Sequence, residues 1–297
     1  MSLAPRVVIV HRTTEYEELT ARHGTHGQAA FFLSSRGRDI AEVAERHNRS
    51  REALAAVVAA IPLTWRQARV ERADLDRFLF APEDVVVVVG QDGLVANVAK
   101  YLEGQPVVGI DADPGRNPGV LVRHRPRDAG ALLASARGGG ADELTMVEAV
   151  ADDTQRLVAL NEIYLGSAGH QTVRYRLGLD EYGGVVESQA SSGVLVGTGT
   201  GATGWLRSLW QERGERLPLP GPTDERLLWY VREAWPSPAT GTSLVAGELT
   251  ASGRLSLTVE SDRLIVFGDG MEGDAVELVW GQTVRVGVAE VRLRLVG

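Results

Sequence analysis

The sequence predicts two domains of different class, an N-terminal α/β domain with a parallel sheet and a C-terminal domain of antiparallel strands. Strand and helix patterns alternate over the first 126 residues. The run at 84–89 is almost entirely valine, as in a parallel strand that is covered on both faces. After the glycines at 138–140, short strand patterns are separated by Gly and Asp turns. We therefore predict domains at residues 1–126 and 127–297.

In chain order, short apolar or β-branched runs in the first domain predict strands at Arg6–His11, Trp65–Glu71, Asp84–Val89 and Gln105–Ile110. Helical spacing of apolar residues there and just beyond predicts helices at Ile40–Arg46, Arg51–Ile61, Leu94–Leu102 and Ala129–Ala136. Ser50 is a suitable N-cap for the second helix, and Pro62 ends it.

In the second domain, short apolar runs between turn residues predict strands at Glu143–Val150, Thr154–Leu165, Thr172–Leu179, Gly184–Gln189, Val194–Gly197, Arg254–Val259, Leu264–Asp269, Ala275–Leu278 and Val284–Leu295. Helical patterns predict helices at Leu206–Glu212 and Glu225–Ala234. Many short strands with few helices favour an antiparallel β-sandwich.

Composition excludes several classes of function. The net charge is −8 with no basic run, so general nucleic-acid binding is not expected. The chain has no cysteine, which excludes disulfides, cysteine zinc sites, iron–sulfur clusters and thiol nucleophiles. The first residues do not resemble a signal peptide, and the longest apolar run, Val85–Val89, is too short to cross a membrane. We expect a cytoplasmic protein.

The strand at 84–89 is followed at once by a glycine-containing turn, Gly90–Leu94, of sequence Gly-Gln-Asp-Gly-Leu. Ligands of parallel sheets bind beyond the carboxyl ends of the strands, where backbone N–H groups and a helix N-terminus attract phosphate. Asp92 would have a reason to lie beside phosphates if it held Mg²⁺ or oriented a hydroxyl for attack on a phosphoryl group. The alternative is an ordinary Asp-Gly turn.

Two later segments carry polar groups that core packing does not explain. Asn161 and Glu162 are adjacent in a strand pattern, so one of them faces the interior and needs a partner, such as a ribose hydroxyl or a neighbouring backbone group. Segment 191–205 runs from an apolar strand through Thr-Gly-Thr-Gly-Ala-Thr-Gly to Trp205. Such a loop holds phosphate or ribose, or is simply flexible surface, and Trp205 would stack on a base or fill the core.

Three other aspartates end strand patterns. Asp111 and Asp113 follow the strand at 105–110 at the edge where ligands bind, although Asp113 also begins an ordinary Asp-Pro-Gly turn. Asp269, in the sequence Gly-Asp-Gly, is interpreted as a hairpin-turn residue.

In this order, the three segments resemble the motifs of the NAD kinases. That family has a strand ending in Gly-Gly-Asp-Gly-Thr, then an Asn-Glu pair, then a Thr/Gly-rich loop with an aromatic residue at its end. Pro106–Pro114 and Ser191-Ser192-Gly193 are similar to the mitochondrial branch, with Trp205 in place of the usual Tyr. Two positions depart from the motif: Gln91 replaces its second glycine and Leu94 replaces its threonine.

The resemblance implies an N-terminal Rossmann-like domain, a C-terminal β-sandwich and an active site between them. It implies transfer of the terminal phosphoryl group of ATP, with Mg²⁺, to the adenosine-ribose 2′-hydroxyl of NAD(H) by a homodimer. Asp92 matches the general base, and no residue is predicted as a metal ligand. The positions that match nucleotide-binding residues are Gly90, Gly93, Asn161, Glu162, Ser192, Thr198, Thr200, Gly201, Thr203 and Trp205.

Two alternatives remain open at the level of sequence. The altered turn at Gln91 and Leu94 would suit a protein that binds or senses NAD or NADP without turnover, because phosphoryl transfer depends on close positioning. A kinase for another hydroxyl acceptor, such as a lipid, is less favoured because no apolar groove or basic membrane patch is evident.

Overall fold

The structure, a computed structural model, describes residues 5–116, 119–152, 154–169, 171–179 and 184–297. The chain divides into two compact units, Met1–Asp142 with Arg294–Gly297 and Glu143–Leu293. The first has a parallel sheet with helices and the second is built of antiparallel strands, so the predicted fold class, Rossmann-like and then β-sandwich, is confirmed. The domain boundary at residue 126 stays a prediction.

The first unit is built on a parallel sheet of strand order β2-β1-β3-β4. Its strands are β1 (Arg6–His11), β2 (Arg66–Glu71), β3 (Asp84–Gly90) and β4 (Pro106–Asp111). All four strand predictions are confirmed, and the valine run of β3 is buried as its composition predicts. Arg294 and Leu295 extend the sheet beside β4, in parallel register with its first two residues.

Helices cover both faces of this sheet. The helices of the unit are α1 (Glu15–His23), α2 (His26–Ser34), α3 (Ile40–Ala60), α4 (Asp92–Ala99) and α5 (Ala129–Gly138), of which α1 and α2 pack on α3. Helices α3 and α5 pack against β3 in one apolar cluster through Val57, Leu133 and Val87. Helix α4 contacts β1, β3 and β4, where Val86 and Val88 of β3 point away from that cluster and are fully buried.

The prediction of two helices at Ile40–Arg46 and Arg51–Ile61 is wrong, because α3 is continuous. Ser50 lies inside it, and serine lowers helix stability by only about 0.5 kcal/mol relative to alanine. The N-cap is Asp39, whose carboxylate accepts the N–H of Ala41 at 2.8 Å. Helix α3 ends before Ile61, which is extended because Pro62 follows it. Helices α1 and α2 were not predicted.

The second unit contains two antiparallel arrays. Strand β16 (Thr283–Leu295) begins the order β16-β13-β8-β9 and also pairs with β5, and the other array has the order β12-β11-β10-β7-β14-β15. The remaining strands are β5 (Asp142–Ala151), β6 (Gln155–Ala159), β7 (Glu162–Gly166), β8 (Val173–Leu179), β9 (Val185–Ser191), β10 (Gly193–Gly197), β11 (Leu227–Arg232), β12 (Ala246–Leu249), β13 (Arg254–Val259), β14 (Leu264–Gly268) and β15 (Met271–Leu278).

One apolar core joins the two arrays. Tyr175 and Leu257 of the first array belong to the same buried cluster as Val196 and Trp229 of the second. Alternate residues of β13 are buried, which is the period-2 pattern of a strand with one face toward a core. The helix α6 (Trp205–Glu212) follows β10, close to its predicted position.

Two predictions in this unit are wrong. The helix predicted at Glu225–Ala234 is the strand β11, whose Leu-Leu-Trp-Tyr-Val run is buried and pairs with β10. The single strand predicted at Thr154–Leu165 is divided into β6 and β7. The N–H groups of Leu160 and Asn161 bind the Asp269 carboxylate instead of a neighbouring strand, which explains the break.

Across the ranges that the structure describes, no helix combines the length and the apolar character needed to cross a membrane.

Candidate functional site

In the first unit, the Gly90–Leu94 turn connects β3 directly to α4. Gln91 is the N-cap of the helix, makes no side-chain capping bond and is exposed. Gly93 is also exposed, and no atom lies within 4 Å of the Cβ position that it lacks. Leu94 is buried and packs 3.1 Å from the corresponding position of Gly90. The turn therefore offers open backbone at its first helical residues, while Leu94 serves packing.

Asp92, the first residue of α4, binds three consecutive backbone N–H groups. Its Oδ2 accepts the N–H of Val120 at 2.9 Å, and its Oδ1 accepts those of Leu121 at 2.7 Å and Val122 at 2.9 Å. A carboxylate has about four acceptor positions. Oδ2 therefore has capacity for one further donor, such as a ligand hydroxyl.

The segment that Asp92 holds lies along β4. The N–H of Asp111 donates to the carbonyl oxygen of His124 at 2.8 Å. Gly109 is required by this approach, because a Cβ there would lie 2.0 Å from the carbonyl oxygen of Leu121. Asp113 forms an ion pair with Arg49 at 2.8 Å, so its carboxylate already has a partner within the protein.

In the second unit, the Asn161–Glu162 pair lies where β6 gives way to β7. The Asp269 carboxylate accepts the N–H of Leu160 at 2.8 Å through Oδ2, and those of Asn161 at 2.7 Å and Glu162 at 3.3 Å through Oδ1. The N–H of Asp269 returns a bond to the carbonyl oxygen of Glu162 at 3.1 Å. Both Asn161 and Glu162 remain partly exposed.

The Thr/Gly-rich loop packs directly on this pair. The N–H of Thr198 donates to the carbonyl oxygen of Asn161 at 2.9 Å, and its hydroxyl donates to that of Leu160 at 2.6 Å. The same hydroxyl accepts the N–H groups of Thr200 at 3.1 Å and Gly201 at 3.2 Å. A Cβ at Gly201 would lie 2.3 Å from the carbonyl oxygen of Asn161. Two motifs that are distant in sequence are thus brought into contact.

Thr200 carries a buried hydroxyl without a hydrogen-bond partner among the described residues. The residue is only 2% exposed. Buried polar groups are nearly always paired, so this hydroxyl is an acceptor or donor in need of a ligand or water. Thr203 is exposed, and its hydroxyl donates to the carbonyl oxygen of Thr200 at 3.0 Å.

The protonation of the Glu162 carboxyl is strongly perturbed. Burial and, as the smaller cause, the negative charge of Asp269 together raise the pKa of Glu162 to about 8. At neutral pH the Glu162 carboxyl is therefore mostly protonated and can donate a hydrogen bond.

Ser192 and Trp205 are connected through Tyr164. The Tyr164 hydroxyl donates to the carbonyl oxygen of Ser192 at 2.5 Å. Trp205 stacks on the Tyr164 ring with centroids 5.5 Å apart, and the Arg232 guanidinium lies 5.3 Å from the Trp205 centroid. Register places Ser192 next to the end of β10 that is remote from Glu162. Stacking of Trp205 on a base stays a prediction.

Asp269 is the functional candidate that sequence reasoning assigned to turn formation alone. It does form a two-residue hairpin turn between β14 and β15, with positive φ at Asp269 and Gly270. Its contacts with residues 160–162 are more than a hundred positions distant in sequence. The Asp-Gly dipeptide after a strand was the available signal, but it indicates only the turn.

Metal ligands are not grouped in either unit: within the described ranges, no three His, Asp or Glu side chains cluster as a protein metal site requires.

Comparison with known proteins finds similarity at low identity. No family model matches the chain. NAD kinase 2, mitochondrial, of Rattus norvegicus is 25% identical over 252 residues, covering 67% of this chain and 59% of the relative. The Xenopus tropicalis protein of the same name is 25% identical over 267 residues, covering 67% and 62%, and the Homo sapiens protein is 24% identical over 252 residues, covering 67% and 57%. The matched region thus spans about three fifths of these relatives.

Among solved structures, the fold is similar to that of an NAD kinase from Archaeoglobus fulgidus in complex with ATP. The TM-score is 0.59 at 17% identity, and the match covers 98% of this chain and 93% of the other. The resemblance that the three motifs predict is confirmed in sequence and in fold.

Proposed function

We propose that this chain, a relative of the NAD kinases in sequence and in fold, transfers the terminal phosphoryl group of ATP to the adenosine-ribose 2′-hydroxyl of NAD(H), giving NADP(H). The observation that carries this proposal is the direct contact between Asn161 and the Thr198–Gly201 loop. That contact forms a polar cluster in which the Thr200 hydroxyl has no hydrogen-bond partner within the described part of the chain.

The nucleotide acceptor would bind at this cluster. Asn161 offers both a donor and an acceptor to ribose, and the protonated Glu162 carboxyl donates to a ribose oxygen. The Thr200 hydroxyl and the exposed Thr203 side chain would complete the loop around the ligand, with Gly201 leaving room for the Asn161 backbone. Ser192 would lie farther along the same array, where Trp205 of α6 stacks on Tyr164.

Asp92 would act as the general base. The 2′-hydroxyl oxygen attacks the γ-phosphorus, the bond from phosphorus to the β–γ bridging oxygen breaks, ADP leaves, and the hydroxyl proton passes to Asp92. Its Oδ2, which accepts one backbone N–H, has capacity for the hydroxyl. The open backbone at Gly93 would approach phosphate at the start of α4, and Gly90 would lie beside it at the end of β3. Phosphoryl transfer depends mainly on such positioning and charge stabilisation.

Magnesium would arrive with the nucleotide. Mg²⁺ in kinases is typically held by substrate phosphates with one or two carboxylates, not by a protein cage. Since the described residues form no such cage, we propose Mg–ATP as the substrate.

The decisive experiment is formation of NADP from NAD, ATP and Mg²⁺ by the purified chain. Asp92→Asn should lower kcat by about 10²–10⁴-fold. Asp262→Asn, at an exposed position in the other unit, is the control and should leave kcat unchanged. The proposal is wrong if wild-type protein makes no more NADP than the Asp92 variant.

A nucleotide-binding protein without turnover is the second candidate. It is favoured by Leu94, which is buried where the motif has a threonine hydroxyl. Calorimetry would then show NAD binding without NADP formation. A gain of activity in Gln91→Gly/Leu94→Thr would support this candidate, while full activity of the wild type would exclude it.

The remaining expectations concern assembly and location. A homodimer predicts twice the chain mass of 31.9 kDa in light scattering. A cytoplasmic location predicts recovery in the soluble fraction of the source cell, separate from organelles.

A further inference from the structure

The β14–β15 hairpin carries a feature that its turn does not require. Asp269 and Gly270 both have positive φ, at 53° and 66°, in a two-residue loop. Asn or Gly satisfies that geometry as well as Asp does. The turn alone therefore does not explain why a carboxylate extends to the backbone of residues 160–162.

We propose that Asp269 is a positioning residue for the nucleotide acceptor, because its carboxylate fixes the backbone from which Asn161 and Glu162 present their side chains. This inference rests on the proposed function, which assigns ligand binding to that pair.

The backbone at Leu160–Glu162 is bound from two sides. Asp269 takes its three N–H groups on one side. Thr198 occupies the carbonyl oxygens of Leu160 and Asn161 on the other. Bonds to a charged acceptor are stronger than neutral ones and hold direction closely. With N–H and carbonyl groups fixed by the protein, the Asn161 and Glu162 side chains are the polar groups left to meet a ligand.

Asp269 also acts on Glu162 through its charge. Within the described residues, Glu162 pairs with Gly197 of β10, and its carbonyl oxygen lies near Gly268 of β14. Strand β6, which also contacts β7, contributes Arg156 as its titratable residue. Asp269 is the charged group that adds to burial in raising the pKa of the Glu162 carboxyl. Removing that charge should lower the pKa of Glu162. As pH rises, binding that uses protonated Glu162 should then be lost at a lower pH than in wild type.

The test compares Asp269→Asn with a matched control, Asp152→Asn. Asp152 also has positive φ, at 48°, and its carboxylate holds the side chain of Gln282 and the backbone of Thr283 in the same unit. Asparagine tolerates positive φ, so both variants should fold. Calorimetry would measure the Kd of NAD between pH 5.5 and 9.

Wild type should bind NAD and lose affinity as pH rises through about 8. Asp269→Asn should bind about tenfold more weakly, from loss of charge-assisted bonds, with the alkaline midpoint shifted to lower pH. Asp152→Asn should match wild type in both respects. Glu162→Gln, which keeps Asp269 in place, should lose the alkaline decline.

The possible negative results overturn different parts of the proposal. If wild type does not bind NAD, the proposed function fails and this inference fails with it. If wild type binds NAD and Asp269→Asn has the same Kd and midpoint, only the positioning role is overturned. A Glu162→Gln variant that retains the alkaline decline would overturn the coupling through charge.

Discussion

Two aspartates, Asp92 and Asp269, each bind three consecutive backbone N–H groups with one carboxylate. Asp92 is itself part of the Gly90–Leu94 turn of the first unit. Asp269 holds the backbone of the Asn161–Glu162 pair in the second. In both places, a side chain replaces the strand partner that would otherwise bind those N–H groups. The backbone at both places is thereby held by hydrogen bonds to a charged acceptor.

At the residue scale, Glu162 predicts an unusual pH dependence of stability. Its folded-state pKa, about 8, is above the ordinary 4.5. Between pH 4.5 and 8 the folded chain therefore retains a proton that the unfolded chain has lost. The stabilisation that this proton gives is complete below pH 4.5 and is lost as pH rises through 8. Glu162→Gln should gain stability relative to wild type from pH 5 to 8, by up to about 1.4 kcal/mol per pH unit.

Urea unfolding of both proteins at pH 5, 6.5 and 8 would measure this difference. Glu148→Gln, at a carboxylate paired with Arg156 on β6, is the comparison and should not gain stability with pH. A constant difference between wild type and Glu162→Gln would contradict the raised pKa.

We expect substitution by alanine to change the stability of the chain differently at two motif glycines, Gly201 and Gly93. Gly201→Ala would place a Cβ 2.3 Å from the Asn161 carbonyl oxygen, whereas Gly93→Ala would meet nothing within 4 Å. Gly201→Ala should therefore destabilise the chain by about 1–3 kcal/mol and weaken NAD binding. Gly93→Ala should not lower the melting temperature, because alanine is favoured over glycine in a helix such as α4, so any loss of its activity reports on ligand approach. Equal melting temperatures for the two variants would refute this.

At the scale of elements, local pattern and tertiary pairing compete. Strand β3 was predictable because a continuous run of valines is typical of a buried parallel strand. Strand β11 was not, because its sequence suits a helix as well, and pairing with β10 and β12 decides the outcome. The Asn161–Glu162 pair is a candidate that the motif alone indicates, whereas the contact of Asp269 with that pair is formed only by the fold.

Because α3 is continuous, we can predict whether Ser50→Ala raises or lowers the stability of the chain. If Ser50 capped a second helix, Ser50→Ala would cost about 1 kcal/mol. Since Ser50 lies inside α3, Ser50→Ala should instead stabilise the chain by about 0.5 kcal/mol. Ser50→Pro should destabilise it by about 3 kcal/mol. Thermal unfolding of the three proteins measures both effects, and destabilisation by alanine would restore the two-helix interpretation.

At the scale of the whole molecule, the first unit is discontinuous in sequence. Residues 294–297 belong with 1–142. Leu295 and Val296 are buried, and the N–H of Val296 donates to the carbonyl oxygen of Val107 at 2.8 Å. The sequence predicted a strand there and a two-domain chain, but nothing local to residues 294–297 indicates which domain they join.

Deletion of residues 294–297 should destabilise the first unit by several kcal/mol, since burial of a Leu or Val side chain contributes about 1.5–3 kcal/mol each. Hydrogen exchange should rise in peptides that contain β4, which loses its neighbour. Deletion of the exposed Gly297 alone is the control and should change neither quantity. Unchanged exchange in β4 after the longer deletion would contradict the pairing.

The same discontinuity has a consequence for synthesis on the ribosome. Residues 294–297 are translated about 150 positions after Asp142, which takes roughly 8–30 s at ordinary elongation rates. Throughout that interval the nascent sheet has an unpaired edge at β4, and such edges invite pairing with other chains. We expect newly made protein to depend on chaperones in this window more than its finished fold would suggest.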